Sequence, residues 1–238
     1  MDVDSAISEC PPAHSPDWLP RLAHDLRGPL APIRMAAQVL EGSEITAHEQ
    51  SELGKAIERQ ANVLSQLADD LDDVLRISQG EFRMRLAPCD LDTIVHNAVA
   101  QFSRHACVMG IPRRTVTVRM AAGPIMVNAD DERLTQLLVQ MLRNVAPVAS
   151  ADASCWIGCA CDGTHALVRL HDSERRIYRN ASVEYLTTGQ PPLDPGTLGM
   201  APVIGREIAM GHAATVSIGD ESEGSIGELL LRLPVALA

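Results

Sequence analysis

Residues 23–33 read AHDLRGPLAPI, and this stretch decides the fold of the N-terminal part of the chain. Two prolines and a glycine fall among apolar positions that are otherwise spaced three or four residues apart, as on one face of an α-helix. A proline inside a helix removes a backbone hydrogen bond and destabilises the helix by about 3 kcal/mol, so two prolines here suggest that the bend has a function. The stretch predicts a helix that bends at Pro29, with His24 and Asp25 just before the bend.

The helical spacing extends on both sides of this stretch and is repeated after a short turn, EGSEIT, at residues 41–46. The first stripe contains Leu19, Leu22, Leu26, Leu30, Ile33, Ala37 and Leu40. The second contains Leu53, Ile57, Gln60, Leu64, Leu67, Leu71, Val74 and Ser78, with steps that are typical of a coiled-coil seam. Because a lone antiparallel hairpin cannot cover both stripes, we expect a homodimer with a four-helix bundle.

The second helix also carries the acidic run ADDLDDVL, with Asp69, Asp70, Asp72 and Asp73. Four carboxylates in one turn and a half are compatible with a metal site. A solvated acidic face on the outside of the helix is the favoured interpretation.

After Gly80 the pattern changes to mixed helices and strands. Alternation predicts strands in FRMRLAP, RTVTVRM and PIMVNA, a hairpin formed by CWIGCAC and HALVRLHD, and a last strand pair in ATVSIG and GELLLRLPV. Amphipathic spacing predicts helices in LDTIVHNAVAQFSRHACVMG, DDERLTQLLVQMLRNVA and VIGREIAMG. The fold class is therefore α+β: a helical hairpin followed by an α/β sandwich with helices on one face of a mixed sheet.

Composition narrows the function. The chain has 238 residues, of which 46% are hydrophobic and only 3% aromatic, so the core is aliphatic. A net charge of -11 argues against nucleic-acid partners and against a polybasic membrane contact. Because neither a signal peptide nor an apolar run of membrane-spanning length is present, we expect a cytoplasmic protein with reduced thiols and a flexible segment at residues 1–16.

His24 is the candidate nucleophile of the hairpin. It lies about 200° around the helix from both Leu22 and Leu26, so it points away from the seam. An exposed imidazole can accept a phosphoryl group, and Asp25 could take up the proton that is released. An ordinary surface His-Asp pair is the alternative that spacing alone leaves open.

The full string LAHDLRGPLAPI closely resembles the H box of bacterial two-component sensor histidine kinases. The resemblance implies that His24 is the phosphoacceptor, Asp25 the acid/base residue and Pro29 the bend, within a dimerisation and histidine phosphotransfer domain at residues 17–80. In the family a Thr or Asn four residues after the His helps to hydrolyse the phospho-aspartate of the partner. Gly28 stands at this position, which implies that phosphatase activity is lost.

The second half, over roughly residues 88–236, is similar to the GHKL-type ATP-binding domain of the same family. LLVQMLRNVAPVA resembles the N box, which implies that Asn144 binds the magnesium ion bridging the phosphates of ATP; Gln140 replaces the other Asn of the box. VRLHDSERRI resembles the first glycine box, which implies that Asp172 binds the adenine amino group. Gly199 keeps one position of the second glycine box.

Several positions depart from the family pattern. They are Glu174 and Arg176 in the first glycine box, Thr197 and Ala201 in the second, Pro147 after the N box, and a short lid with three prolines at residues 178–195. Glycines in such loops adopt positive φ and let backbone N–H groups approach phosphate oxygens. We therefore expect a degenerate ATP-binding domain at residues 81–238, with binding of ATP and magnesium weakened.

Three functions follow from these patterns. In the first, the protein is a phosphorelay protein whose His24 exchanges a phosphoryl group with a response-regulator receiver domain. The phosphoryl group comes from a residual ATP site or from an upstream kinase. In the second, it is a non-catalytic module that binds a kinase or a response regulator. In the third, it is an intact ATP-dependent autokinase.

Other candidate residues have simpler interpretations. Cys155, Cys159 and Cys161 alternate along one strand face without a zinc spacing and are expected to be buried thiols. His212 is expected to be a cation that meets the carbonyl dipoles at a helix end.

Overall fold

The computed structural model describes residues 19–42, 45–108, 115–120, 123–145, 155–172, 177–178, 180–193, 198–222 and 225–236. The expected flexible segment at residues 1–16 lies outside this range, and so do Pro147, Glu174, Arg176 and Thr197.

The N-terminal part is a helical hairpin made of α1 (Leu19–Gly42) and α2 (Ala47–Ser78). Helix α2 begins with a capping box: the Thr46 hydroxyl accepts a hydrogen bond from the Glu49 backbone N–H at 3.2 Å, and the Thr46 N–H donates to the Glu49 carboxylate at 2.8 Å. These two bonds satisfy backbone donors at the start of the helix and define the end of the turn. The predicted hairpin is confirmed.

Helix α1 runs through both prolines without ending at either. Pro29 and Pro32 have no N–H, so the carbonyl groups of Asp25 and Gly28 lack the usual helical partner four residues later. Pro29 is buried, as is Ala36, while Leu22 and Ile33 are half-buried.

The apolar stripe predicted on α1 is only partly covered by the single chain. Leu26 is 36% exposed, Leu30 45% and Leu40 39%. Met35 and Val39 are also exposed, but they lie on the other side of the helix. Leu26, Leu30 and Leu40 form the uncovered apolar face of α1, next to the residues that α1 buries within the hairpin.

The C-terminal part contains four helices and eight strands among the residues that the structure describes. The helices are α3 (Leu91–Val108), α4 (Asp131–Val145), α5 (Ala181–Thr188) and α6 (Met200–Gly211). The strands are β1 (Ala87–Asp90), β2 (Val116–Arg119), β3 (Met126–Ala129), β4 (Cys155–Cys161), β5 (His165–Asp172), β6 (Ile177–Tyr178), β7 (Thr215–Ser222) and β8 (Ser225–Pro234).

The strands form a six-stranded mixed sheet and a two-stranded ribbon. In the large sheet the order is β2, β4, β5, β8 and β6, with β7 also paired to β8. Strands β2 and β4 are parallel, and the other pairs are antiparallel. The ribbon pairs β1 with β3 antiparallel.

One face of the large sheet packs against helices. On β5, Ala166, Val168 and Leu170 are buried, whereas Arg169 between them is exposed. Helix α4 contributes the largest set of buried helical side chains to the same core: Leu134, Leu137, Leu138, Val139, Met141, Leu142 and Val145. This is the predicted α/β sandwich, and the expected α+β class is confirmed.

Two predictions of local structure were wrong. Residues 81–86 are not a strand: the Arg85 N–H is bound by the carboxylate of Asp130 at 2.8 Å instead of by a neighbouring strand, and β1 begins at Ala87. Apolar and polar residues alternate there because Phe82 and Met84 are half-buried in an extended segment whose other side chains are exposed. Helix α5 was not expected at all, although Asn180 caps its first turn through Val183 N–H at 2.9 Å.

Gly189 and Gly28 form a matched pair for a stability test. Gly189 ends α5 at φ 74°, and a Cβ there would collide with the guanidinium of Arg206. We expect Gly189→Ala to lower the free energy of unfolding by at least about 1 kcal/mol, because a left-handed Ala costs about 1–2 kcal/mol before any collision. Gly28 is helical with open space around it, so Gly28→Ala should raise the stability by about 0.5–1 kcal/mol. Urea unfolding measures both, and equal effects of the same sign would contradict the assignment.

Candidate functional site

His24 is an exposed residue on α1 whose ring is oriented by its neighbour. Its side chain is 76% exposed, and its Nδ1 lies 3.3 Å from the Asp25 carboxylate. In the neutral tautomer that donates Nδ1–H to the half-buried Asp25 carboxylate, Nε2 is the ring nitrogen that keeps its lone pair. The arrangement suits a nucleophile with an adjacent proton acceptor.

Arg21 is a member of this group that the sequence analysis missed. Its Nε lies 3.0 Å from Asp25 Oδ1, the same oxygen that faces the His24 ring. The ion pair joins residues four apart on one helix face, a spacing that could have been found from the sequence. Arg21 and His24 therefore both contact Oδ1 of Asp25.

Gly28 lies on the exposed surface of α1, four residues after His24. A Cβ added there would meet no atom within 4 Å. The absence of a side chain at this position is therefore not imposed by packing within the single chain.

Asn144 lies near the end of α4, one turn after Gln140. Its Nδ2 donates a hydrogen bond to the backbone carbonyl of Gln140 at 3.2 Å, which leaves the amide oxygen as the atom that could face a cation. Gln140 instead extends towards α6, where its side chain packs against Gly205 so closely that a Cβ would collide with it. The Gln140 Nε2 is buried and finds no hydrogen-bond partner among the residues that the structure describes.

Asp172 and Gly199 lie on elements next to α4. Asp172 is the last residue of β5, is fully buried and pairs in register with Cys155. Gly199 immediately precedes α6, with φ −81° and ψ 177°. This backbone is open to any residue, so the positive φ expected for glycines of such loops is not found at Gly199. The third residue of α6 is Pro202, which removes one N–H donor from its first turn.

The acidic run on α2 is solvated, as expected, at Asp69 and Asp72 but not at Asp73. Asp73 is 7% exposed and receives two hydrogen bonds from Arg133 on α4, at 2.5 Å from Nη1 and 2.8 Å from Nη2. Gln136 Nε2 adds a third at 3.3 Å. Asp70 is half-buried, while Asp69 and Asp72 are exposed. The prediction failed because the partner of Asp73 is 60 residues away in the sequence.

His212 caps α6 as a buried neutral ring. Its Nε2 accepts a hydrogen bond from the Asp130 backbone N–H at 2.9 Å, and its Nδ1 lies 2.7 Å from the Ile208 carbonyl, to which it donates. A nitrogen that accepts from an N–H carries no proton, so the expected cation at this helix end is wrong. The ring instead joins the end of α6 to the start of α4.

The thiols on β4 differ in exposure. Cys155 and Cys159 are buried as predicted, whereas Cys161 at the strand end is exposed. Within the described parts of the chain, no three His, Cys, Asp or Glu side chains are placed to hold a metal ion together. The expectation of buried thiols therefore holds for two of the three residues.

The candidate residues form two separate groups. His24, Asp25 and Arg21 are together on α1. Asn144 and Gly199 lie at the end of α4 and the start of α6, two helices that pack against each other, and Asp172 ends the strand that contacts α4.

Comparison with known proteins gives one family match and one set of relatives. Residues 17–80 match the His Kinase A (phospho-acceptor) domain. The sensor histidine kinase ZraS of Escherichia coli (strain K12) is 23% identical over 217 residues, which are 90% of this chain and 44% of ZraS. The chain thus spans less than half the length of this curated relative.

Solved structures of histidine kinases share the fold. Acinetobacter baumannii AdeS superposes with a TM-score of 0.59 at 15% identity, covering 89% of this chain and 97% of AdeS. The structure of ThkA in complex with the response regulator protein TrrA superposes with a TM-score of 0.57 at 19% identity, and the match covers 91% of this chain and 60% of ThkA. Full-length ShkA in complex with AMPPNP superposes with a TM-score of 0.55 at 21% identity, and the match covers 94% of this chain and 47% of ShkA. Among the described residues, no helix is both long and apolar enough to cross a membrane.

Cys159 is buried and Cys161 is exposed, so the two thiols should react differently with alkylating reagents. Burial raises the pKa of Cys159 to about 12, so almost none of it is thiolate at pH 8, and its sulfur is also shielded. We expect iodoacetamide at pH 8 to modify Cys161 and to spare Cys159, as measured by peptide mass spectrometry. The urea-unfolded protein, in which both react, is the control; equal labelling rates in the folded protein would refute the assignment.

Proposed function

We propose that this chain is a phosphorelay protein of the two-component histidine kinase type, in which His24 exchanges a phosphoryl group with the aspartate of a response-regulator receiver domain; the match of residues 17–80 to the phospho-acceptor domain and the similarity to ZraS support this. The observation that carries the proposal is the 76% exposure of the His24 side chain together with its 3.3 Å contact to Asp25. An imidazole this accessible, with its far nitrogen unprotonated, can be reached by a receiver domain without any rearrangement of the hairpin.

The transfer itself uses residues of α1. The lone pair of His24 Nε2 attacks the phosphorus of the receiver's aspartyl phosphate, the bond from phosphorus to the carboxylate oxygen breaks, and a free aspartate leaves. The positive charge that develops on the ring is compensated when Asp25 draws the Nδ1 proton towards it. Arg21 keeps the Asp25 carboxylate in line with the ring while this happens.

The proposal includes a homodimer formed by the hairpin at residues 17–80. The uncovered apolar face of α1, from Leu26 to Leu40, supports it, because a second copy of the hairpin would remove these side chains from water. Two chains of two helices each make the expected four-helix bundle.

The proposal assigns residues 81–238 to an ATP-binding domain with weak function. Asn144, through its amide oxygen, would hold magnesium, Asp172 would bind the adenine, and Gly199 would approach the phosphates. When bound, ATP would supply the phosphoryl group for His24. Two features favour a weakened phosphate site: Gln140 points to Gly205 instead of to a ligand, and Pro202 removes a donor from the first turn of α6. An upstream kinase acting through a receiver domain is then the main phosphoryl source.

Substitution of the phosphoacceptor tests the proposal. His24→Ala should abolish transfer of ³²P from a phosphorylated receiver domain to the protein, because the variant lacks the imidazole that is proposed to accept the phosphoryl group. His48→Ala, which removes an exposed histidine from the second helix of the same hairpin, is the matched control and should transfer at the wild-type rate.

Label that persists in His24→Ala would overturn the proposal. Binding of the receiver without any labelling of the wild-type protein would also overturn it, in favour of a non-catalytic interaction module.

Substitution of Asp25 should lower the rate of phosphoryl transfer without changing which residue is labelled. Asp25→Asn keeps the shape of the side chain but removes its charge, so we expect the transfer rate to fall about 10²-fold with His24 still the labelled residue. Rapid-quench measurement of the rate, with Asp69→Asn on the exposed face of α2 as control, checks this. An unchanged rate would show that Asp25 takes no part in the proton movement.

A further inference from the structure

The outer face of the large sheet, which points away from the helices, carries side chains that neither the core nor the proposed transfer uses. On β5, every second residue is buried against the helices, and the residues between them, Leu167, Arg169 and His171, lie on the outer face. In register with His171, Trp156 of β4 lies on one side and Glu228 of β8 on the other. Three neighbouring strands therefore contribute one row of large side chains across this face.

Trp156 is the centre of this row, and both faces of its indole are covered. The His171 ring stacks on it with the ring centres 5.2 Å apart and an angle of 26° between the planes, and His171 Nδ1 lies 3.5 Å from Glu228 Oε1. The guanidinium carbon of Arg119 on β2 lies 4.8 Å from the centre of the indole. Because β4 lies between β2 and β5, Arg119 and His171 approach the indole from opposite sides. A partner can therefore reach only the edge of the indole, whose one polar group is an N–H donor.

Two glycines let the large side chains lie flat on the sheet. A Cβ at Gly158 of β4 would come within 2.9 Å of the Trp156 ring, and a Cβ at Gly219 of β7 would come within 3.0 Å of Leu230. The indole and Leu230 are therefore packed against the backbone of the sheet before any partner binds. Side chains that are already fixed lose little conformational entropy on binding, which favours recognition.

The outer face carries unpaired positive charge on an acidic protein. Arg119 and Arg169 are exposed, and neither takes part in the ion pairs that the described residues form on this face. Arg232 is also exposed but is paired with Asp162 at 3.2 Å. The whole chain has a net charge of -11. A negatively charged partner is therefore repelled by most of the molecule and attracted to this face.

The unpaired polar groups of this face can only donate hydrogen bonds. A guanidinium has five N–H donors and no acceptor, and an indole has one donor. A carboxylate suits them, because it accepts two parallel hydrogen bonds from a guanidinium. Apolar side chains alternate with the charged ones: in the register of β5 and β8, Arg169 lies beside the half-buried Leu230, and the half-buried Leu167 lies beside Arg232. Aromatic residues and Arg are enriched at protein–protein interfaces, so the composition of this face is typical of one.

We propose that this outer face, with Trp156, Arg119, Arg169 and Leu230 at its centre, is a docking surface for an acidic segment of a partner protein. Carboxylates of the segment bind Arg119 and Arg169, and its apolar side chains contact Leu230 and the edge of Trp156. A single-stranded nucleic acid is less suitable, because bases bind by stacking on open aromatic faces and both faces of this indole are covered. The inference does not rest on the role proposed for His24.

Titration with a ten-residue polyglutamate peptide tests the proposal. The chain contains two tryptophans, Trp18 and Trp156, so a Trp18→Phe background makes the fluorescence report on Trp156 alone. Arg119→Gln and Arg169→Gln each remove one positive charge from the outer face. Arg104→Gln is the matched control, because Arg104 is exposed on α3 in the helical layer. Calorimetric titration of the same variants gives the dissociation constants independently of the fluorescence.

We expect the peptide to change the Trp156 fluorescence in a saturable manner, with a dissociation constant that rises as salt screens the charges. Arg119→Gln and Arg169→Gln should each raise the dissociation constant about 5-fold, which corresponds to the loss of a good solvent-exposed ion pair. Arg104→Gln should bind the peptide as the background protein does. Urea unfolding of each variant checks that the sheet is intact.

Absence of binding to the background protein would overturn the inference, because the face then does not attract carboxylates. Binding that is unchanged in both Arg119→Gln and Arg169→Gln would overturn it as well, because the peptide then binds elsewhere. Tighter binding of a ten-nucleotide oligo(dT) than of polyglutamate, weakened by the same two substitutions, would overturn the choice of partner in favour of a single-stranded nucleic acid. None of these outcomes bears on the proposed function, which the His24→Ala transfer assay decides.

Discussion

The burial of one face of α4 is the constraint on which most of the molecule depends. Seven apolar side chains of this helix are buried in the core between the sheet and the neighbouring helices. Once that face is fixed, the rotation of the helix is fixed, and the polar residues from Arg133 to Asn144 must lie on the face that remains. The contact of Arg133 with Asp73 and the position of Asn144, the proposed magnesium ligand, therefore both follow from the rotation of α4.

Features set by short-range periodicity were predictable from the sequence. The hairpin, the sandwich and the exposure of His24 follow from residues that lie within a few turns of each other. The seam on α1 was predicted less well, because Leu26 and Leu30 remain exposed in a single chain. A periodic stripe shows that a helix has an apolar face, but not how that face is divided between the partner helix in the same chain and a partner in another chain.

Features set by long-range pairing were not predictable. The carboxylates of Asp72 and Asp73 are adjacent in the sequence, yet one is in solvent and the other meets Arg133 of a distant helix. His212 was taken for a cation because its helix-end position was visible and its contact with the Asp130 backbone was not. In the segment before β1, alternating Phe82 and Met84 reflected half-burial, and only the hydrogen bond of Arg85 to a side chain revealed that no strand partner was present. In each case the deciding contact joins residues that are far apart in the sequence, so it cannot be predicted from a local pattern.

The contact between α2 and the C-terminal domain also explains how the stability of the hairpin depends on that domain. The last turns of α2 place Val74 in the core of the C-terminal domain, and Asp73 beside it is neutralised by Arg133. Without that domain, Val74 would be exposed near the end of α2, and the Asp73 carboxylate would lose Arg133 while facing Asp69, which lies one turn earlier on the same side of the helix. The domain therefore stabilises the end of α2 by burial and by charge compensation. Neither effect requires a nucleotide, so the contact stabilises the end of α2 whether or not the C-terminal domain binds ATP.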